Sequence, residues 1–185
     1  MFKKFDKENM FESIWSFSEN IKDSLKIGDS IELNNKYDNI QNIVIAGMGG
    51  SAIGGDVVSV LERLNINIPY VVCRDYSIPK WVNKNSLVIC SSYSGNTEET
   101  LSAFYQSFDR GANICGITTG GTLLEKLKEY KKDYITIPSG LQPRAALAYS
   151  FIPIIKLLEK LSIFKSDINL WIRNTIKTLE KNRNI

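Results

Sequence analysis

The sequence predicts an α/β domain in which a parallel sheet is covered by helices on both faces, a three-layer αβα sandwich. Three observations lead there. Short, continuously apolar, β-branched runs recur from residue 42 to residue 138. Segments with apolar side chains at 3- and 4-residue steps alternate with several of these runs. Glycine and hydroxyl residues follow the first and third runs, at the strand ends where open parallel sheets bind ligands.

Residues 6–26 place Met10, Ile14, Phe17, Ile21 and Leu25 on one face of a predicted helix, and a polar linker runs from Gly28 to Asn39. Asn42–Gly47 (NIVIAG) reads as the first strand, followed by a glycine-rich turn and a helix through about Leu64. Pro69–Cys73 is the second strand. Leu87–Ser92 is the third, with a helix from Thr97 to Arg110 behind it. Asn113–Thr118 is the fourth, and the next helix opens at Thr122, with Glu125 three residues later completing a capping box. Tyr134–Pro138 is the fifth strand. A long helix is predicted from Arg144 to about Leu161, with a kink at Pro153. A last helix spans about Asp167 to Asn182, with Ile168, Trp171 or Ile172, Ile176 and Leu179 on one side. Crossovers between parallel strands are expected to be right-handed.

At 185 residues, 43% hydrophobic and 23% charged, the chain suits one ordinary globular domain. Its net charge of +3 gives no argument for nucleic-acid or membrane partners. The absence of histidine excludes a Ser-His-Asp triad, a Cys-His dyad or a His-based metal site. Any acid or base on this chain must be Glu, Asp, Lys, Tyr or Cys. The three cysteines, Cys73, Cys90 and Cys115, lie in apolar runs with no CxxC pair and read as buried thiols. No signal-like leader and no 18-residue apolar span is present, so a cytoplasmic location is expected.

Three segments at strand ends read as anion sites. Gly47–Asp56 (GMGGSAIGGD) offers close backbone approach at Gly49 and Gly50, helix N–H groups and the Ser51 hydroxyl. A Walker A reading fails because Gly55-Asp56 stands where Lys-Ser/Thr belongs. A dinucleotide reading stays open, since GMGGSA fits GxGxxA and Asp75 follows strand two. Ser92–Thr100 (SYSGNTEET) places Ser92, Ser94 and Thr97 before a helix, a set of donors suited to phosphate, and Asn96 with Glu99 resembles a cap. Gly140–Leu147 (GLQPRAAL) puts Pro143 at the first helical position. Arg144 then sits in the first turn, where a cation opposes the helix dipole unless an anion is there to meet it.

These residues resemble the sugar isomerase (SIS) family, and more narrowly its bifunctional phosphoglucose/phosphomannose isomerases, on GMGGSAIGGD (47–56), SSYSGNTEET (91–100) and LQPRAAL (141–147). The resemblance implies a flavodoxin-like five-stranded sheet in the order 2-1-3-4-5. It implies isomerisation of glucose 6-phosphate or mannose 6-phosphate to fructose 6-phosphate through a cis-enediolate, without metal or cofactor. Ser51, Ser92, Ser94 and Thr97 would hold the phosphate, Gly49 and Gly50 would approach the sugar, and Arg144 would stabilise the enediolate. Family members carry a second SIS domain that supplies the proton-transfer glutamate, a histidine and a lysine. The chain is therefore read as the N-terminal half: residues 1–40 helix and linker, 41–163 the SIS domain, 164–185 a helix leading to a second domain. A stand-alone phosphosugar-binding regulatory module is the alternative. The helix from Arg144 is apolar on most sides, which predicts burial beyond the sheet and a homodimer or partner domain over it.

Overall fold

The computed structural model describes residues 5–7, 9–163 and 168–183. Twelve elements follow in order: α1 (Met10–Trp15), α2 (Phe17–Asp29), β1 (Asn42–Ala46), α3 (Gly49–Leu61), β2 (Tyr70–Cys73), β3 (Ser86–Ser92), α4 (Glu98–Asp109), β4 (Asn113–Thr118), α5 (Gly121–Glu129), β5 (Asp133–Thr136), α6 (Leu147–Lys160) and α7 (Ile168–Asn182). The five strands form one parallel sheet in the order β2-β1-β3-β4-β5, the order the resemblance implies.

Alternation along the strands sorts the core into two layers. Ile43, Ile45, Leu87, Ile89, Cys115 and Ile117 pack with Ile21 of α2, Val58 of α3, the length of α6 and Ile168, Ile172 and Ile176 of α7. Val44, Ala46, Val88, Cys90 and Ile114 pack on the other face against Ala103 and Phe104 of α4 and Leu123 and Leu127 of α5. Strand β3 lies at the centre of the sheet and is buried throughout. This explains its continuous apolar run from Leu87 to Cys90.

Helix α6 corrects one expectation. It is buried from Ala148 to Leu158, but within this chain: α2 and α3 pack along it, and α7 joins the same core. No apolar face of α6 is left to seat a second copy, so the argument for a dimer through this helix falls. The helix runs unbroken through Pro153. It also buries Lys156, at 7% exposure. The ammonium pairs with Asp29 at 2.9 Å and Glu159 at 2.6 Å, which is how a buried charge becomes tolerable.

The single helix expected over residues 6–26 is two helices, broken at Ser16. Only the second half of the apolar stripe reaches the core. Ile21 is buried beside α6, whereas Phe11 and Ile14 remain exposed. Helix α2 runs on to Asp29, so the linker starts later than expected. That linker is fastened at the amino end of the sheet by Asp133, whose carboxylate accepts the N–H groups of Asn34 (2.8 Å) and Asn35 (3.1 Å) and the Tyr37 hydroxyl (2.8 Å). Burial pushes the Asp133 carboxyl up, but the Asn34 N–H, the Tyr37 hydroxyl and the Asn35 groups outweigh it and hold it below its ordinary value. The expected start of the last helix, Asp167, lies outside the described residues, as does the chain beyond Arg183. No described helix is long and apolar enough to cross a membrane.

Candidate functional site

Parallel strands bring four loops together at their carboxyl ends: residues 47–48 after β1, 93–97 after β3, 119–120 after β4 and 137–146 after β5. The three segments singled out by sequence touch one another. Ser51, in the first turn of α3, accepts the Tyr93 N–H at 3.1 Å, and the Leu141 N–H donates to the Tyr93 hydroxyl at 2.9 Å. The Pro143 carbonyl lies so close to Gly50 that a Cβ there would be 2.8 Å from the oxygen. At Gly50 the missing side chain therefore makes room for the β5 loop.

The hydroxyl inventory follows from the bonds already made. Ser51 Oγ receives the Tyr93 N–H and Ser94 Oγ receives the Asn96 N–H at 3.2 Å, so each retains a proton to donate. Ser92 Oγ accepts the Gly95 N–H at 3.0 Å and shares a proton with Thr97 Oγ1 at 2.8 Å. One proton of that pair is left over. Ser92 is 1% exposed and Ser94 is exposed, so the two serines differ: the first shapes the loop from within and the second faces outward. The N–H groups of Gly49 and Gly50, at the start of α3, have no hydrogen-bond partner among the described residues, as helix N-termini leave them.

Two capping expectations are corrected together. Neither Thr122 with Glu125 nor Asn96 with Glu99 forms a capping box. Helix α4 starts after Thr97 and α5 after Gly120, both without a side-chain cap of their own. Instead the Asn96 Oδ1 reaches across and accepts both the N–H and the hydroxyl of Thr122, each at 3.0 Å. The cap comes from the neighbouring loop because Gly95, at φ +72°, turns the chain back against Gly120. The Leu123 N–H closes the same contact onto the Gly95 carbonyl at 2.8 Å.

Arg144 is also placed differently. Residues 143–146 form turns, and α6 begins at Leu147. Arg144 thus stands outside the helix, and the dipole penalty argued from sequence does not apply. Its side chain is exposed and has no partner among the described residues. It is the one Lys or Arg on the four loops and pairs with no described carboxylate, whereas Arg74, after β2 at the same end of the sheet, is paired with Asp56. Asp75, the acid that a dinucleotide reading needs, is exposed and accepts the N–H of adjacent Tyr76 at 2.6 Å. No cluster of three or more His, Cys, Asp or Glu that could hold a metal occurs among the described residues.

Sequence reasoning missed Tyr93, Thr118 and Thr119. Thr119 donates its N–H (3.2 Å) and hydroxyl (2.7 Å) to the Tyr93 carbonyl. Thr118 Oγ1 both accepts from and donates to the backbone of Gly120. The run Thr118-Thr119-Gly120-Gly121 at the end of β4 was the available signal, of the same hydroxyl-and-glycine kind as the other loops.

No family model matches the chain. A bifunctional phosphoglucose/phosphomannose isomerase of Caldicellulosiruptor bescii is 49% identical over 170 residues, 92% of this chain and 50% of that protein. The enzyme of the same name from Thermoplasma acidophilum is 45% identical over 141 residues, 75% of this chain and 42% of that protein. The chain thus spans about half the length of the curated relatives it matches. Among solved structures, the C-terminal domain of glucosamine-fructose-6-phosphate aminotransferase from Francisella tularensis superposes with a TM-score of 0.69 at 17% identity, over 95% of this chain and 54% of that one. At that identity the likeness shows the fold alone. With the fold, the loops and these relatives together, the chain is a homologue, over most of its length, of about half of a bifunctional phosphoglucose/phosphomannose isomerase.

Proposed function

We propose that this domain is the phosphate-holding half of an aldose-ketose isomerase acting on glucose 6-phosphate or mannose 6-phosphate and fructose 6-phosphate. The observation that carries the reading is the meeting of the β1, β3 and β5 loops at one edge, with hydroxyl and N–H donors on two of them and an unpaired arginine on the third. In this reading the spare protons of Ser51, Ser94 and the Ser92–Thr97 pair bind phosphate oxygens beside the N-termini of α3 and α4. The backbone at Gly49 and Gly50 meets the sugar. Arg144 faces the negative charge that develops on the two oxygens of a cis-enediolate, and as an unneutralised cation it favours that charge over the neutral ground state. Moving the proton between C1 and C2 needs a base, which this reading takes from a second SIS domain following residues 164–185. No cofactor is called for. A homodimer has a place in it only through a surface other than α6, and the cytoplasm is the compartment where such substrates reside.

Thermal melting tests the reading. Fructose 6-phosphate at 100 times its Kd adds about 2.7 kcal/mol, which for a chain of this length raises Tm by roughly 5–10 °C. Ser94→Ala with Thr97→Ala should erase the rise. A rise with NAD and none with sugar phosphates would overturn the proposal. The purified chain should show negligible isomerase turnover. Robust turnover would refute the two-domain division of labour, whereas a stand-alone binding module would give the melting response and no turnover even when joined to a partner domain.

A further inference from the structure

Tyr93 lies where the loops meet, and its bonds are of two kinds. Its N–H and C=O hold Ser51 in the first turn of α3 and Thr119 of the β4 loop. These are main-chain bonds, indifferent to the side chain. The hydroxyl makes a different contact: it accepts the N–H of Leu141 at 2.9 Å. Leu141 follows Gly140, at φ +94°, and stands three residues before Arg144. The aromatic ring is half-buried against the core cluster that Leu141 and Leu147 also join. The β5 loop therefore has one end anchored in β5, the other in α6, and a tether near its midpoint to the residue that sits between Ser92 and Ser94.

We propose that Tyr93 is a positioning residue: its hydroxyl fixes the Arg144-bearing loop against the hydroxyl loop, so that cation and phosphate cradle keep one separation. This rests on the sugar-phosphate reading above. A substrate held by its phosphate at one loop presents its reacting carbons at a fixed distance. A cation on a ten-residue loop meets them only if the loop keeps its place, and displacements near 1 Å can cost a site up to about 100-fold. Tyr93→Phe removes the tether and leaves the ring and all three main-chain bonds in place.

Two measurements on the intact chain decide it. In the absence of ligand, the Leu141 amide should exchange with solvent about 5-fold faster in Tyr93→Phe, the change expected when one hydrogen bond is lost. An unchanged rate would overturn the tether. Calorimetric titration with an aldonate sugar phosphate, whose carboxylate carries negative charge where the enediolate develops it, then compares wild type, Tyr93→Phe, Arg144→Ala and the double variant. Tyr93→Phe should weaken binding about 5-fold in the wild-type background and less than about 2-fold when Arg144 is already alanine, because the tether acts through that residue. Equal weakening in both backgrounds would mark Tyr93 as structural only and would sink the positioning role while leaving the sugar-phosphate reading intact. Failure of the wild type to bind any sugar phosphate would sink the reading itself and the role with it.

Discussion

Replacing Gly95 with alanine drives a Cβ to 1.8 Å from the carbonyl oxygen of Gly120. Both partners are backbone, so no side chain can swing away. The φ of +72° costs a non-glycine residue about 1–2 kcal/mol before any clash. Relieving the clash parts the two loops, which forfeits the bond from the Leu123 N–H to the Gly95 carbonyl and the Asn96 cap on Thr122. Each of these is worth about 1 kcal/mol. The sum is about 3–4 kcal/mol, a fall in Tm of roughly 6–16 °C for a domain of this length. Gly111 supplies the control. It has a similar φ of +67° with open space around its Cβ position, so Gly111→Ala bears the strain alone, about 1–2 kcal/mol. Differential scanning fluorimetry of both variants, with and without fructose 6-phosphate, reads stability and loop integrity at once. Gly95→Ala should lose the ligand response and Gly111→Ala should keep it. Equal losses of Tm in the two variants, or a full ligand response from Gly95→Ala, would refute the interlock.

Three further outcomes follow from groups away from the loops. Lys156→Met should leave urea stability within about 1 kcal/mol of wild type, because Asp29 and Glu159 return to solvent; Asp29→Asn with Glu159→Gln strands a buried ammonium and should cost about 3 kcal/mol or more. Asp133 has a folded-state carboxyl value below its ordinary one, so its contribution is complete above the unfolded value of about 3.9 and is lost as pH falls below it. Urea midpoints of wild type should therefore drop more steeply than those of Asp133→Asn below about pH 4, and parallel curves would contradict the assignment. Burial pushes the Cys90 thiol up to about 12 and Cys115 higher still. Native titration with a disulfide reagent near about pH 8 should thus count Cys73 first and alone, and three fast thiols would show that the sheet core is open to solvent.

The strands were legible because a parallel sheet covered on both faces demands continuous apolar runs. Asn113–Thr118 matches residue for residue, and the other strands differ by one or two residues at their ends. The order 2-1-3-4-5 came from resemblance, since periodicity carries no information about neighbours. What stayed hidden was the choice of partner. Asn96 obeys the local rules for capping its own helix, and nothing within five residues reveals that it caps the helix 26 residues later. Pro143 suits a first helical turn and a tight turn equally well, so Arg144 was assigned to the wrong one. Ile14 continues the periodicity of α2, but periodicity cannot say that the surface opposite it is solvent. An aromatic at a strand end reads as core, and Tyr93 is partly that; its hydroxyl bond to a residue 48 positions away has no trace in sequence.

The seating of α6 against α2 has a consequence for the order of events during synthesis. The Tyr149 hydroxyl donates to Asp23 across 126 residues of chain, and the face of α2 around Ile21 has α6 as its neighbour in the core. At about 5–20 residues per second, α2 leaves the ribosome roughly 6–25 seconds before the segment that covers it. Within that interval strands β1 to β5 emerge one after another and can pair, while one layer of the sandwich lacks its central helix. The emerging domain should therefore recruit chaperones that recognise apolar segments until residue 160 has cleared the exit tunnel. Premature release before that point should yield aggregates and no partly active intermediate.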